Sequence, residues 1–352
     1  MQNIEFDRSK IYEKLSYQPE PKGYSSKVLW KVQQQIAATN GIHYTDSVGH
    51  LTDYPIPEIP IDKVSTNALM LDIGCGWGRW LTAAAKKNYI PVGCDLRLEF
   101  CETARLVLNE HGFNGYTVVA DLKELPFKEN VFDVVWSYSV IQHTHKDRLL
   151  NCIAHIYRIL KSGGYCFLEF PNKSGLRNSL GPVNHAEQFR ENYNSWHVRY
   201  YTIKEYKDIF TEKFKNFSFK NHSFLGIGIL PGDLKFVKGL KNKLGTLLSL
   251  FLSKLCMVIP PMKYFSDSIY IKCTKQDNAV FPDHVSEFMQ LHKQDATNNL
   301  NIIGLLRCPI SGGDLVLDTS KTKLVSKIAD VYYPVINNIP VLIRSEAIKL
   351  YS

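Results

Sequence analysis

The stretch Ala68-Leu-Met-Leu-Asp-Ile-Gly-Cys-Gly-Trp-Gly-Arg-Trp80 decides the fold of this 352-residue chain. Its apolar beginning predicts a strand, its alternating glycines predict a tight turn, and residues 80–87 predict a helix. Glycine is required where the backbone takes a positive φ or where a ligand approaches it closely. The pattern therefore predicts the first βα unit of a nucleotide-binding sheet.

The glycine spacing separates two kinds of nucleotide site. A dinucleotide fingerprint has the order Gly-x-Gly-x-x-Gly, whereas Gly74, Gly76 and Gly78 alternate and follow Asp72, which would repel a pyrophosphate but suits a cation. The stretch resembles motif I of class I S-adenosylmethionine-dependent methyltransferases, whose cofactor carries an ammonium, a sulfonium and no phosphate. The resemblance implies an α/β fold with a Rossmann-like seven-stranded sheet covered by helices on both faces. The alternative, an ordinary βα turn, stays open at this point.

Two more acids end predicted strands downstream. Asp95 follows Gly76 by 19 residues, a distance at which a βαβ unit places an acid beside a ribose. Asp121 ends the third predicted strand, and the resemblance assigns it to the adenine amine. The sequence Arg-Ile-Leu-Lys-Ser-Gly-Gly at 158–164 matches the turn that the family has before its fifth strand. The predicted residues for S-adenosyl-L-methionine are Asp72, Gly74, Gly76, Trp77, Asp95, Leu96, Asp121, Leu122 and Ser137.

The acceptor side is predicted after the fourth strand, residues 131–136. His143 lies in the exit of that strand and is the predicted catalytic base, because a hydroxyl acceptor must lose a proton and histidine titrates near neutrality. The alternative is a histidine that only packs or forms hydrogen bonds. An insertion at 176–202 is rich in His, Asn, Tyr and Arg, as specificity loops often are. The predicted substrate-binding residues are Ser139, Gln142, His185, His197 and Tyr201.

Composition and charge limit the classes of protein to which the chain can belong. The chain is 45% hydrophobic and 22% charged, as in soluble globular proteins, and its net charge of +8 fits an acidic substrate, RNA or an anionic membrane without selecting one. The eight cysteines include no Cys-x-x-Cys pair, which argues against a disulfide framework and a closed zinc site. The beginning of the chain lacks the pattern of a signal peptide. We expect a cytoplasmic protein without a bound metal.

The chain divides into four predicted parts. Residues 1–64 form an N-terminal cap, 65–275 the methyltransferase domain with insertions at 176–202 and 226–265, 276–300 a linker, and 301–352 a small β-rich domain. Strands at 217–224 and 268–273 complete the seven-stranded sheet. The second insertion holds an apolar stretch, 247–259, too short to span a bilayer. Three interpretations of it stay open: peripheral contact with the inner face of the membrane through 235–263, packing over the substrate, and packing in a homodimer.

The C-terminal part resembles a second family. Its Leu-x-Cys308-Pro opening and its Tyr333-Pro…Ile-Pro-Val ending are similar to the zinc-ribbon-like activator subunit of tRNA, rRNA and release-factor methyltransferases, also found in short bacterial proteins. Ser311 and Ser326 stand where that pattern has cysteines. A lone Cys308 cannot hold zinc, which takes four ligands in a structural site. We therefore expect a metal-free β-rich module that packs on the catalytic domain.

Three functions fit the sequence. The first is methylation of a small molecule, at an oxygen of a sugar, lipid-linked glycan or secondary metabolite, because the overall pattern resembles type-11-like bacterial methyltransferases. The second is an RNA or protein methyltransferase with a built-in activator. No Asn-Pro-Pro-Tyr motif follows the fourth strand and no dense arginine patch marks a nucleic-acid surface, so a nucleic-acid partner is not expected. The third is a cofactor-binding scaffold without turnover.

Overall fold

The computed structural model of the chain describes residues 23–39, 48–63, 67–180, 198–228, 234–235, 237, 239–277 and 282–350. The strands, in chain order, are β1 Leu69–Ile73, β2 Ile90–Asp95, β3 Tyr116–Ala120, β4 Phe132–Ser137, β5 Leu160–Pro171, β6 Ser218–Ser223, β7 Ser268–Thr274, β8 Val316–Leu317, β9 Lys323–Ser326, β10 Val331–Ile336, β11 Ile339–Leu342 and β12 Ile348–Lys349. The α-helices are α1 Ser26–Thr39, α2 Arg79–Ala85, α3 Leu98–Glu110, α4 Lys146–Ile159, α5 Leu176–Leu180, α6 Ile203–Thr211, α7 Leu240–Val258 and α8 Val285–Gln294.

Within these ranges one sheet runs in the order β6-β7-β5-β4-β1-β2-β3-β11-β10-β9-β8, and β12 pairs with β10. Strands β5, β4, β1, β2 and β3 are parallel to one another in this order, whereas β7 is antiparallel to both β5 and β6. Every residue of β1 and β3 is buried, as expected for parallel strands that helices cover on both faces. The α/β fold class predicted from the sequence is confirmed.

Local signals explain where the elements begin and end. Thr202 begins α6 with a capping box, in which its hydroxyl accepts from the Glu205 amide and the Glu205 carboxylate accepts from the Thr202 amide. One boundary differs from the sequence prediction. Residues 161–164, expected as a turn, lie inside β5, where Gly163 takes a φ of +76° and the register against β4 shifts. The left-handed glycine lets the strand bend instead of ending.

The C-terminal strands extend the sheet beyond β3. Strand β11 runs parallel to β3, with Val341 opposite Val119 and Leu342 opposite Ala120. All four residues of β11 are buried. Because β3 also pairs with β2, it has a neighbouring strand on both sides. This pairing removes an apolar edge that would otherwise present unpaired backbone groups to solvent.

Cys308 lies in a small cluster of hydroxyl groups inside the C-terminal module. Its buried sulfur accepts from the Ser311 amide at 3.5 Å and lies 3.4 Å from Oη of Tyr333, while Oγ of Ser311 lies 3.4 Å from Oγ of Ser326. Burial raises the pKa of the Cys308 thiol, but these hydrogen-bonding groups outweigh it and lower the pKa to about 7. In the described part of the chain no group of three or more His, Cys, Asp or Glu side chains is arranged to hold a metal ion.

Candidate cofactor and acceptor sites

The glycine turn between β1 and α2 leaves space beside one of its glycines. A Cβ atom on Gly74 would lie 2.4 Å from a methyl group of Val140, and one on Gly78 would lie 2.8 Å from the Cα of Ala104. At Gly76, which has a φ of +50°, the added atom would meet nothing within 4 Å. Gly74 and Gly78 are therefore needed for packing, whereas Gly76 borders open space that a ligand can fill.

Asp72, at the end of β1, is a buried carboxylate without a hydrogen-bond partner. The side chain is fully buried, and neither carboxylate oxygen has a partner among the described residues. Burial, and then the charge of Asp95, raise the pKa of Asp72 well above its ordinary value. Buried polar groups are normally paired, because an unpaired charge is costly away from water. Asp72 thus fits a ligand that brings a positive charge, such as the ammonium group of S-adenosylmethionine.

Asp95 and Asp121 lie at the same edge of the sheet. Asp95 accepts hydrogen bonds from the amides of Gly76 at 3.0 Å and Arg97 at 3.2 Å, and burial raises its pKa. Asp121 follows β3 and accepts from the Lys123 amide at 2.9 Å. The parallel strands β1, β2 and β3 bring the three acids together at their carboxyl ends, where open α/β sheets bind ligands.

Two leucines flank these acids. Leu96 directly follows Asp95 and is 52% exposed, and Leu122 directly follows Asp121 and packs partly buried against the core. Exposed and half-buried leucines at this edge suit the flat apolar faces of an adenine ring. The residues of the edge therefore fit S-adenosylmethionine from its ammonium to its adenine.

Trp77 and Ser137 have contacts within the protein. The Trp77 side chain is buried among residues of α1 and packs on Tyr54, with ring centroids 6.3 Å apart. It thus joins the N-terminal helix to the glycine turn. Ser137, at the end of β4, is buried and donates to the carbonyl of Ile73 at 3.0 Å. A direct contact of either side chain with the cofactor stays a prediction.

The predicted acceptor residues lie in three places. His143 ends the 3₁₀ turn Ile141–His143, and its carbonyl accepts from the Arg199 guanidinium, while the Gln142 carbonyl accepts from the Arg199 amide at 3.0 Å. Tyr201 is 1% exposed and its ring packs on Tyr206, so the structure gives it a packing role. His185 and His197 lie outside the described residues. Acceptor contacts of all these side chains stay predictions.

Glu169 is a candidate site residue outside the set of site residues predicted from the sequence. It lies near the carboxyl end of β5 and accepts from the Ser139 hydroxyl at 2.7 Å, so that Ser139 is joined to a buried acid. Burial raises the pKa of Glu169 to about 7, although hydrogen bonds from Ser139 and Ser268 oppose the shift. A carboxyl group with a pKa near neutrality can accept a proton from a reacting hydroxyl.

A cluster of aromatic rings and one histidine lies beside Glu169, at the same edge. Oη of Tyr138 is 2.8 Å from Nε2 of His222 and donates to the carbonyl of Gly228 at 3.1 Å. The His222 ring lies 4.5 Å from the ring of Tyr270, which is opposite Glu169 in the sheet. Burial, and then the charge of Arg79, lower the pKa of His222 to about 3, which keeps its imidazole neutral at physiological pH.

Comparison with known proteins shows which proteins the core of the sheet is similar to. Residues 70–164 match the family model described as a methyltransferase domain. An uncharacterised protein of Methanocaldococcus jannaschii is 33% identical over 108 residues, which cover 31% of this chain and 43% of the relative. The probable tRNA methyltransferase 9B of Homo sapiens is 33% identical over 105 residues, which cover 30% of this chain and 21% of the relative. The chain thus spans less than half the length of these two curated relatives.

A short stretch of the chain matches a second group of proteins. A UPF0434 protein of Ectopseudomonas mendocina is 47% identical over 49 residues, which cover 14% of this chain and 80% of the relative. The match covers most of that small protein, so this stretch of the chain belongs to its family. The chain therefore carries a stretch that matches a methyltransferase domain, at residues 70–164, together with a segment that belongs to the UPF0434 family.

Proposed function

We propose that the protein transfers the methyl group of S-adenosylmethionine to an oxygen of a small molecule, such as a sugar, a lipid-linked glycan or a secondary metabolite. The observation that carries this proposal is the buried Asp72, without a hydrogen-bond partner, beside the open space at Gly76. When bound, the cofactor supplies a methyl group activated by a sulfonium. The protein's part is to hold the acceptor in line with that group and to exclude water, and such positioning can lower a barrier by about 7–11 kcal/mol.

The cofactor contacts are proposed residue by residue. Asp72 pairs with the ammonium, Asp95 accepts from the ribose hydroxyls, and Asp121 accepts from the adenine amine. Gly76 and Gly74 shape the backbone that faces the methionine end. The other proposed contacts are Trp77, Leu96, Leu122 and Ser137.

A small acceptor is supported by the rings around His222. Tyr138 is half-buried and offers an aromatic face, and its hydroxyl lies 2.8 Å from Nε2 of the neutral His222, whose ring packs on the buried Tyr270. Aromatic faces beside hydrogen-bonding groups suit a compact polar molecule. Two groups are proposed to take the acceptor's proton: His143, from its place after β4, and Glu169, from its pKa near 7.

A second candidate function is methylation of an RNA or a protein. It is favoured by the β11–β3 pairing, through which a module that resembles the activator subunit joins the sheet, and by the name of the human relative. This function predicts tRNA binding that weakens steeply with salt, because each phosphate contact releases counterions. Proposals that also follow from the sequence are a cytoplasmic location and a homodimer.

Two measurements test the main proposal. Calorimetry should show S-adenosylmethionine binding that Asp95→Ala weakens, and a methyl-transfer screen against sugars, lipids and tRNA should identify the acceptor. Loss of turnover in His143→Ala with retained cofactor binding would assign the base to His143, whereas the same result in Glu169→Gln would assign it to Glu169. A cleft that binds NADH but no S-adenosylmethionine would reject the proposal.

A further inference from the structure

Helix α7 presents its apolar side to solvent. Its buried positions include Thr246 and Ser249, whereas Leu247, Leu248 and Phe251 are about half exposed or more. An amphipathic helix of a globular protein normally buries its apolar side and exposes its polar side. The orientation of α7 is the reverse of that arrangement.

Hydrogen bonds on the polar side fix this orientation. Oγ of Ser249 accepts from the Phe224 amide at 3.1 Å and donates to the Ile227 carbonyl at 3.3 Å. The Asn221 side chain donates to the Ser253 carbonyl at 3.3 Å. Rotating the helix to bury its leucines would break these bonds and leave buried backbone groups of the loop after β6 unpaired, which is costly. The exposed leucines are therefore a consequence of how the helix is attached.

The exposed apolar side chains of α7 and of the turn after it form a surface that is much larger than the area of one exposed leucine. We name it the α7 surface, and it comprises Leu240, Leu244, Leu247, Leu248, Phe251, Met257, Val258, Ile259, Tyr264 and Phe265. Large exposed apolar patches mark interaction sites in soluble proteins. None of the helices in the described ranges has the length and apolarity that crossing a bilayer requires. A partner that covers the α7 surface must therefore lie along the helix, because the helix does not cross a bilayer.

The charge around the α7 surface selects that occupant. Residues 234–266 contain six lysines and no acid. Lys243 and Lys254 are exposed on the helix, and Lys263 lies just after it with its amine over the Phe219 ring. A second copy of the chain would bring a like-charged surface against this one, which costs free energy. An anionic bilayer instead accepts the apolar side chains among its acyl chains and the lysines among its phosphates.

We infer that α7 lies in the interface of an anionic membrane. The helix has 19 residues and would lie flat, with Phe251 and the leucines inserted and the lysines at headgroup level. Ser249 joins it to the loop after β6, in which the Gly228 carbonyl accepts from Tyr138. Binding at α7 thus brings the proposed acceptor site to the membrane surface. The membrane contact of α7 does not depend on the proposed function. Only the nature of the acceptor rests on that function, and the acceptor is then one carried by a lipid.

Vesicle flotation with the full chain tests the inference. The wild-type protein should float with vesicles of equal parts phosphatidylglycerol and phosphatidylcholine, and much less with phosphatidylcholine alone. The double variant Leu247→Ser/Phe251→Ser should lower the partition coefficient at least about 10-fold, since it removes inserted side chains without opening a core. The variant Lys243→Gln/Lys254→Gln should lower it about 10-fold on anionic vesicles. The matched control is Ile328→Ser, which removes a side chain 75% exposed in the C-terminal module and should bind like wild type.

Other results overturn the inference. It fails if the wild-type protein does not float with anionic vesicles, or if the Leu247/Phe251 variant floats as well as wild type. It also fails if sedimentation shows a dimer that the same variant converts to a monomer, because a second copy is then the occupant. Calorimetry with S-adenosylmethionine separates the two proposals: cofactor binding without flotation rejects the membrane surface alone, and flotation without cofactor binding rejects the proposed function alone.

Discussion

The Ser139 hydroxyl donates a hydrogen bond of 2.7 Å to Oε2 of Glu169, 30 residues further along the chain. This bond joins the exit of β4 to the end of β5, two neighbouring parallel strands. Ser139 takes a φ of +57°, a conformation that side chains other than glycine adopt at a cost, so the bond helps to hold a strained turn. It holds a buried acid beside the site proposed for the acceptor.

The first prediction concerns the pH dependence of stability. The pKa of Glu169 is raised from 4.5 to about 7 in the folded protein, so the folded state binds more protons than the unfolded state between these values. The contribution of Glu169 to the free energy of unfolding therefore falls as the pH rises from 4.5 to 7, by about 3 kcal/mol in total. Glu169→Gln cannot ionise. Relative to wild type, it should gain about 3 kcal/mol between pH 4 and pH 8 in urea unfolding.

Activity provides a second measurement on the same variant. If Glu169 takes the proton, the wild-type rate should rise with pH around 7 and Glu169→Gln should lose most of its turnover while binding S-adenosylmethionine normally. His143→Ala should then keep its pH profile. A Glu169→Gln protein that retains both wild-type turnover and the wild-type pH dependence of stability would show that this acid neither titrates near neutrality nor reacts.

The second prediction is that Asp72→Asn stabilises the free protein and weakens the cofactor complex. The change removes a carboxyl group whose burial disfavours its charged form and whose oxygens have no partner among the described residues, so thermal unfolding at pH 8 should occur at a higher temperature. It also removes the proposed partner of the ammonium, and affinity for S-adenosylmethionine should fall about 10- to 100-fold. Calorimetry and thermal scans with and without the cofactor measure both effects.

The matched control for this change is Asp133→Asn. Asp133 accepts from the Leu69 amide at 2.8 Å and from the Lys161 amine at 2.8 Å, so its variant should lose stability and keep its cofactor affinity. The two aspartates are thus expected to respond in opposite directions. If Asp72→Asn binds S-adenosylmethionine as tightly as wild type, Asp72 does not meet the ammonium.

The sequence predicted the sheet core well, because that part depends on local patterns. The order of strand, glycine turn and helix at residues 69–85 is set by neighbouring residues, and each acid at the end of a strand can be located without knowing the fold. Parallel pairing then brings these ends together. The three predicted acids, Asp72, Asp95 and Asp121, are accordingly all found at one edge.

The residues that were missed depend on distant contacts. His222 reaches Tyr138 from 84 residues away, and the sequence of β6 carries no signal for that approach. The orientation of α7 is also hidden, because the rule for amphipathic helices would bury its leucines. The joining of β11 to β3 had one visible signal: Ile-Pro-Val-Leu is apolar at every position, as strands inside a sheet are.

The third prediction compares two glycines of the turn. Alanine at Gly76 should cost about 1 kcal/mol of stability from its positive φ, because the new methyl group meets no other atom. That methyl group would occupy the proposed cofactor space, and affinity should fall at least about 10-fold. Alanine at Gly78 meets the backbone of Ala104 and should cost about 2–4 kcal/mol. Urea unfolding measures the stability of the two variants and calorimetry measures their affinity for S-adenosylmethionine. A Gly76→Ala protein with full affinity would show that the cofactor does not bind beside this turn.

The last prediction concerns Asn299, which continues the pairing of β3 where β11 no longer reaches. Its Oδ1 accepts from the Thr117 amide at 2.8 Å, and its Nδ2 donates to the carbonyls of Thr117 and Asn338 at 2.9 Å. Asn299→Ala would leave both buried backbone groups of Thr117 unpaired on that side and should cost about 3 kcal/mol in urea unfolding. Asn298→Ala, which removes the side-chain cap of the Leu300 amide, should cost only about 1 kcal/mol. Equal losses in the two variants would mean that Asn299 caps a turn and does not hold the C-terminal module against β3.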